Sequence, residues 1–280
     1  MAACESVPNS DTMEQFGLDG GGFLAYEYTG ASASGVPIVF LNGILMNLRM
    51  WNAQVEAFSG SHPCLLHDFR GQLNSSKHLP TPMRLHTHVE DTLALLDYLH
   101  IGRCHIIGTS YGGEVGLLLA KTAPERIASL SVIASVSYSD ELLQRQVKLW
   151  KDLAGLDAGL LYDAVLSASY SGGFLDRHGA FLQTRRDSFQ ALPEGFLRAF
   201  ESLCDAFLAF ELPAAELASI DIPTLVVSAA LDILKPPRYS EHIAACMPNA
   251  RHRSVEGAGH AVVVEQPTAL RRILRAFIEK

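Results

Sequence analysis

Ile106-Ile107-Gly108-Thr109-Ser110-Tyr111-Gly112-Gly113-Glu114 is the stretch around which the rest of the chain is organised. The residues before it, Cys104 to Ile107, read as a short buried strand, and those after it, Val115 to Lys121, as an apolar helix. Between them lies Gly-x-Ser-x-Gly. A strand that turns straight into a helix must reverse so sharply that the serine takes a strained backbone conformation. Its neighbours must be small enough to let strand and helix approach. Such a turn lifts the Ser110 hydroxyl above the sheet edge and aims the helix N-terminus, with its unpaired N–H groups, at the reacting centre.

Working outward, the pattern on both sides is that of alternating strands and helices. Gln15 to Asp19 and Phe23 to Tyr28 alternate around Gly20-Gly21-Gly22 and predict an antiparallel hairpin. Val36 to Leu41 is apolar on both faces, as a central parallel strand requires, and stops at Asn42-Gly43. A helix is expected over Asn47 to Phe58, a strand over Pro63 to Asp68, a helix over Thr87 to Leu99 and a strand over Ile127 to Ser135. From about Tyr138 to Leu212 the pattern changes to helices alone, at Asp140 to Leu153, Ala158 to Ala168, Phe174 to Phe189 and Glu194 to Phe210. The sheet resumes at Ile222 to Ser228. A helix at Tyr239 to Met247, a strand at Arg251 to Val255 and a helix at Thr268 to Ile278 close the chain. The first dozen residues read as a frayed leader.

The fold class is therefore α/β, a mostly parallel sheet flanked by helices. A core of residues 1–137 and 213–280 is interrupted by a helical lid at 138–212. Phe174, Phe181, Phe189, Phe196, Phe200, Phe207 and Phe210 are more aromatics than short helices need for mutual packing, so some of them should roof an apolar pocket. Trp150 and Phe174 are the lid residues expected to touch substrate.

With 280 residues, 48% of them apolar, the chain can bury a large core. Its net charge of −8, without a basic run, argues against nucleic acid as a partner. The five cysteines are scattered and form no Cys-x-x-Cys pair, which speaks for a reducing compartment rather than a disulfide framework or a zinc site. No secretory signal and no run of about 18 apolar residues is seen, so a cytoplasmic location and no membrane span are expected.

A serine hydroxyl needs a base and a group to orient that base. His260, in the glycine-rich Glu256-Gly-Ala-Gly-His-Ala261 loop after a strand, has a setting that the ten other histidines lack. Asp232, just past the strand ending at Ser228, is the first choice of carboxylate, ahead of Asp140 and Asp205. The oxyanion of an attacked carbonyl needs two backbone donors. The Tyr111 N–H is one and the Ile44 N–H, after the tight turn at Gly43, the other. No metal cluster or phosphate-cradling glycine loop is present, so neither cofactor nor metal is expected.

LNGILM (41–46), HDFRGQ (67–72), IIGTSYGGEVG (106–116), APERI (123–127), PTLVVSAALDILKP (223–236) and EGAGHAVVVEQP (256–267) together resemble the α/β-hydrolase family from about Phe23 to Ile278. The resemblance to small carboxylesterases and 3-oxoadipate enol-lactonases implies Ser110 as nucleophile, Asp232 as acid, His260 as base and no cofactor. It further implies an ester, lactone or acyl-thioester of a small to medium apolar acyl group as substrate. One departure stands out. Many members carry His-Gly before the oxyanion donor, where this chain has Asn42-Gly43. In that it is similar to 3-hydroxyacyl transferases, and it marks Asn42 as a candidate for holding substrate or acceptor, against the favoured reading in which its amide only ties the turn to neighbouring backbone. A carbon–carbon hydrolase or a cofactor-free haloperoxidase would use the same triad, whereas a ligand receptor would not need it.

Overall fold

A computed structural model describes residues 13–279. The reading of the first dozen residues as a leader lies outside them. Eight strands form one sheet: β1 (Glu14–Gly17), β2 (Phe23–Thr29), β3 (Ile38–Leu41), β4 (Cys64–His67), β5 (Cys104–Thr109), β6 (Ile127–Ile133), β7 (Thr224–Ala229) and β8 (Ala250–Val255). Their spatial order is β1-β2-β4-β3-β5-β6-β7-β8. The β1–β2 and β2–β4 pairs are antiparallel and every other pair is parallel.

The helices are α1 (Asn52–Phe58), α2 (Leu85–Tyr98), α3 (Tyr111–Thr122), α4 (Glu141–Ala154), α5 (Ala158–Ser169), α6 (Gly172–Arg177), α7 (Gly179–Gln190), α8 (Phe196–Leu208), α9 (Ala214–Leu217), α10 (Pro237–Cys246), α11 (Val262–Glu265) and α12 (Pro267–Ile278). Successive side chains of a strand face opposite ways, and the two faces of this sheet fill two cores. Val39, Leu41, Leu65, Ile106, Leu130, Val132 and Val226 pack with α2, α3 and α10. Ile38, Phe40, Leu66, Ile107, Ile133, Leu225 and Val227 pack with Trp51, Phe58 and the Leu270, Leu274 and Ile278 stripe of α12. Burial on both faces is why these strands read as unbroken apolar runs.

Helices α4 to α9 fill the interval between β6 and β7, with no strand among them. They have no core of their own: Leu143, Val147, Trp150, Phe200, Leu203 and Phe207 join the cluster on the α2–α3 face of the sheet. The expected single helix over Phe174 to Phe189 is two. It breaks at His178, which leaves helical backbone geometry (φ −123°, ψ 27°) and whose Nδ1 lies 3.0 Å from the Phe174 carbonyl oxygen. The side chain thus competes for a carbonyl of the turn that the helix would continue. Likewise Asn47 to Phe58 is not one helix. Asn47 caps a 3₁₀ turn over Leu48–Trp51, and α1 begins only at Asn52.

Candidate active site

All the chemistry-bearing loops leave the C-terminal ends of strands. In this strand order β3 and β5 are neighbours whose connections leave in opposite directions, which opens a crevice between them. Ser110 sits at that point, directly after β5, at φ 51° and ψ −119°. A non-glycine residue there is strained, by an amount on the order of 1–3 kcal/mol. The surroundings hold it. The Ser110 N–H donates to the Ile133 carbonyl at 2.8 Å, and Ser135 Oγ lies 2.9 Å from the Ser110 carbonyl oxygen. The flanking glycines are steric necessities. A Cβ on Gly108 would lie 2.2 Å from the Gly112 carbonyl oxygen, and one on Gly112 2.2 Å from that of Leu41.

His260 follows β8, and its Nε2 is 2.9 Å from Ser110 Oγ. Its Nδ1 is 2.8 Å from Asp232 Oδ2. Asp232 follows β7 and is buried. Its other oxygen accepts the backbone N–H groups of Leu234 and Lys235 at 2.9 and 2.8 Å, which fixes the carboxylate plane. The competing carboxylates are engaged elsewhere. Asp140 caps α4 through the Leu143 N–H and pairs with Arg238, and Asp205 pairs with Lys151 on the helical segment.

Ile44 lies in the turn after β3, where Gly43 comes close to Ser110. Tyr111 opens α3, so its N–H has no intrahelical acceptor. Ser110, His260, Gly43 and Ile44 form one side of a cavity of about 140 Å³. Trp150 of α4, Tyr162, Val165 and Leu166 of α5, and Arg185 and Phe189 of α7 form the opposite side. The strand-end loops are thus its floor and the helical segment its roof. A second cavity, of about 20 Å³, lies on the other flank of Ser110 and Tyr111, against Leu143, Val147, Trp150, Phe207, Leu234 and Lys235.

Two expected substrate contacts are corrected. Asn42 does not line either cavity: it is fully buried, and its amide donates to Asp68 Oδ1 at 2.9 Å and to the His67 carbonyl at 3.2 Å. Its Oδ1 accepts the Trp51 indole N–H at 2.9 Å. Ending β3 beside β4 turns this side chain sideways into the sheet end rather than upward. Phe174 stands one layer behind the wall, stacked on Tyr170 and His178, and Tyr170 takes the lining position. Of the aromatics expected as a roof, Phe189 faces the larger cavity and Phe207 the smaller; Phe196 and Phe200 are buried in the core.

One buried pair escaped the sequence reading. Glu114 Oε1, on α3, lies 2.7 Å from Lys235 Nζ and accepts from the Ser135 hydroxyl at 2.7 Å. The pair ties α3, which follows Ser110, to the loop of Asp232. A signal existed: Glu114 is the lone acid in a helix buried from Tyr111 to Ala120. The histidine loop is tied to the roof as well, through the Ala261 N–H to the Ser169 carbonyl at 2.8 Å and through Glu265 to Ser171. Among the described residues no metal-binding cluster occurs, and no helix is long and apolar enough to cross a membrane.

Comparison with known proteins places this geometry. The sequence pattern of the alpha/beta hydrolase fold family matches residues 36–267. A protein of Pantoea ananatis (strain LMG 20103) named "Putative carbamate hydrolase RutD" is 28% identical over 257 residues, 89% of this chain and 90% of its own length. MGS-M2, an alpha/beta hydrolase enzyme from a Medee basin deep-sea metagenome library, superposes with a TM-score of 0.89 at 28% identity, over 95% of this chain and 98% of its own. The enol-lactonase of Burkholderia xenovorans LB400 does so with a TM-score of 0.85 at 26% identity, over 95% of this chain and all of its own (100%).

Proposed function

The chain belongs to the alpha/beta hydrolase fold family, and from that premise we propose that it cleaves carboxylic esters or lactones of small to medium apolar acyl groups through an acyl-enzyme on Ser110. The observation that carries the reading is the unbroken run of contacts from Asp232 through His260 to Ser110, at 2.8 and 2.9 Å, opening onto an apolar cavity.

The reaction follows from these contacts. His260 Nε2 takes the Ser110 proton as Oγ attacks the carbonyl carbon, and Asp232 holds Nδ1–H and stabilises the imidazolium that forms. The Ile44 and Tyr111 N–H groups receive the oxyanion. His260 then protonates the departing oxygen, and the ester is split with its acyl group on Ser110. Water, deprotonated by the same imidazole, attacks the acyl carbon and restores the serine. Residues 138–212 act as a cap over the acyl group, on a core of residues 1–137 and 213–280.

Hydrolysis is favoured over transfer to another acceptor because Asn42, the residue that suggested a transferase, is wholly occupied within the sheet end. The names of the relatives, an enol-lactonase and a carbamate hydrolase, share an acyl carbon bearing an oxygen or nitrogen leaving group. The test is a panel of esters, lactones, carbamates and an acyl-thioester with an alcohol acceptor, run alongside labelling by a serine-directed phosphonate. Ester or lactone turnover with label on Ser110, and loss of at least about 10⁴-fold in kcat in Ser110→Ala, is expected. Near wild-type turnover in a folded Ser110→Ala protein sinks the mechanism.

A further inference from the structure

We propose that the substrate carries a carboxylate remote from its scissile carbonyl, and that Arg185 on the cavity roof receives it. The inference rests on the reading of the cavity as an ester or lactone site and names the substrate class within it.

The wall of the cavity is apolar apart from the catalytic groups and a few tyrosine and serine side chains, with one exception. Arg185, half-buried on α7, is the one cation among its lining residues. A guanidinium in an apolar wall is costly to leave without an anion. The neighbouring cations have one: Lys235 pairs with Glu114, Arg49 with Glu27 and Arg186 with Asp163. Arg185 has no carboxylate partner among the described residues. Its contacts are Met50 Sδ at 3.6 Å, the Tyr162 hydroxyl and the face of Phe181, 5.6 Å from the ring centroid, none of them an anion. Glu265, next to the lining residue Val264, is taken up by Ser171 and the Gly259 N–H.

Placement strengthens the case. Arg185 borders both the catalytic cavity and an open groove outside it, lined by Asn47, Arg49, Asn74 and Pro267. It stands where a ligand filling the cavity reaches solvent. The chain as a whole carries a net charge of −8, so an anionic substrate draws no help from the overall field and depends on a local cation. A planar guanidinium with donors in a fixed fork suits a carboxylate, which it can bind through two parallel hydrogen bonds.

The test compares monomethyl half-esters of dicarboxylic acids, C4 to C8, with neutral methyl esters in which a branched alkyl end replaces the carboxylate, measured by titration of released acid. The wild type should favour half-esters of one chain length over their neutral isosteres by tenfold or more in kcat/KM, with the advantage shrinking as salt rises. Arg185→Met should erode that preference by at least tenfold, chiefly through KM, and Arg185→Lys should recover part of it. Binding of the corresponding free dicarboxylates to Ser110→Ala, followed by calorimetry, should weaken with Arg185→Met in the same proportion. Equal loss for charged and neutral esters in Arg185→Met, or no preference in the wild type, overturns the inference while leaving the esterase reading standing. Absence of any ester turnover together with intact dicarboxylate binding at Arg185 would instead overturn the esterase reading alone.

Discussion

Floor and roof of the cavity are built on opposite principles. On the floor, most polar groups that face one another are matched: Ser110 with His260, His260 with Asp232, Asp232 with two backbone N–H groups, and Glu114 Oε1, though not its Oε2, with Lys235. On the roof, the buried Trp150 indole N–H has no acceptor among the described residues, and the Arg185 guanidinium, which meets Met50 Sδ and the Tyr162 hydroxyl, has no carboxylate. A matched set is fixed in place before substrate arrives, which is what transition-state stabilisation requires. An unmatched donor in an apolar wall selects a ligand that brings the missing acceptor. Floor residues should therefore govern kcat and stability, and roof residues KM and preference.

The largest effects should come from the floor, and two carboxylates test this directly. Asp232→Asn should lower kcat by about 10³–10⁴-fold with little change in KM, because an amide favours the wrong imidazole tautomer. Asp140, anchoring the roof as the cap of α4, should tolerate Asn at a cost of well under about 1 kcal/mol, since asparagine caps equally well. Steady-state kinetics and thermal melts of both variants decide it. A reversal would put the acid at the roof anchor and dissolve the distinction.

The next effect is on stability. Glu114→Gln leaves the Lys235 ammonium buried without its counter-charge and should cost about 3–5 kcal/mol, read as a fall in the urea midpoint. Replacing both, as Glu114→Leu with Lys235→Met, should recover most of that loss. If the single variant unfolds within about 1 kcal/mol of wild type, the pair does not weld the nucleophile helix to the acid loop.

What the sequence made legible, and what it did not, divides along the same line. The floor depends on local rules with sharp spacing. Gly108 and Gly112 are there because any Cβ would strike backbone, and Asp232 and His260 follow strands that read as buried runs. Asn42 was legible in part: its place at the end of β3 favours a tie to neighbouring groups over a substrate contact, while the direction of its amide depends on β4 standing alongside, a non-local fact. The roof is set by how helices pack on one another. Its helical character was visible in periodicity. Yet the break at His178, the displacement of Phe174 by Tyr170 and the placing of Arg185 beside Met50 and Tyr162 rather than a carboxylate were not.

Acid sensitivity should also belong to the floor side. Burial pushes the His67 imidazole down to about 4 and holds His88 well below its ordinary value. Each folded-state pKa is depressed for a base, so the fold keeps the neutral form while the unfolded chain takes up a proton near pH 6.5. Stability from His67 is full above pH 6.5 and is lost progressively as pH falls toward 4, by about 3 kcal/mol in all. The neighbouring Asp68 carboxyl, pushed up to about 6 by burial, gains stability over the same window, so chemical denaturation at stepped pH reads His67 as the difference between variants: stability should fall more, or rise less, in the wild type than in His67→Leu as pH drops from 6.5 to 4. An unchanged slope in the variant would show that His67 does not carry it.

The smallest expected effect is the most informative about the roof. Trp150 is 4% exposed and lines both cavities, and its Nε1–H is buried without a partner among the described residues. Trp150→Phe removes that donor while keeping an aromatic ring in the wall. Within the free protein no hydrogen bond is lost, so the melting temperature should hold or rise slightly, as the desolvation cost of an unmatched N–H disappears. With substrate bound, an oxygen that accepted from the indole loses its donor. KM should then rise by up to about tenfold, close to 1.4 kcal/mol, with kcat changed by less than about twofold. Such a split, weaker binding in a protein no less stable, is what an unmatched roof donor predicts and what a packing residue would not give. A variant that melts lower, with KM unmoved, would make Trp150 part of the shared core alone and leave Arg185 as the only selective group on the roof.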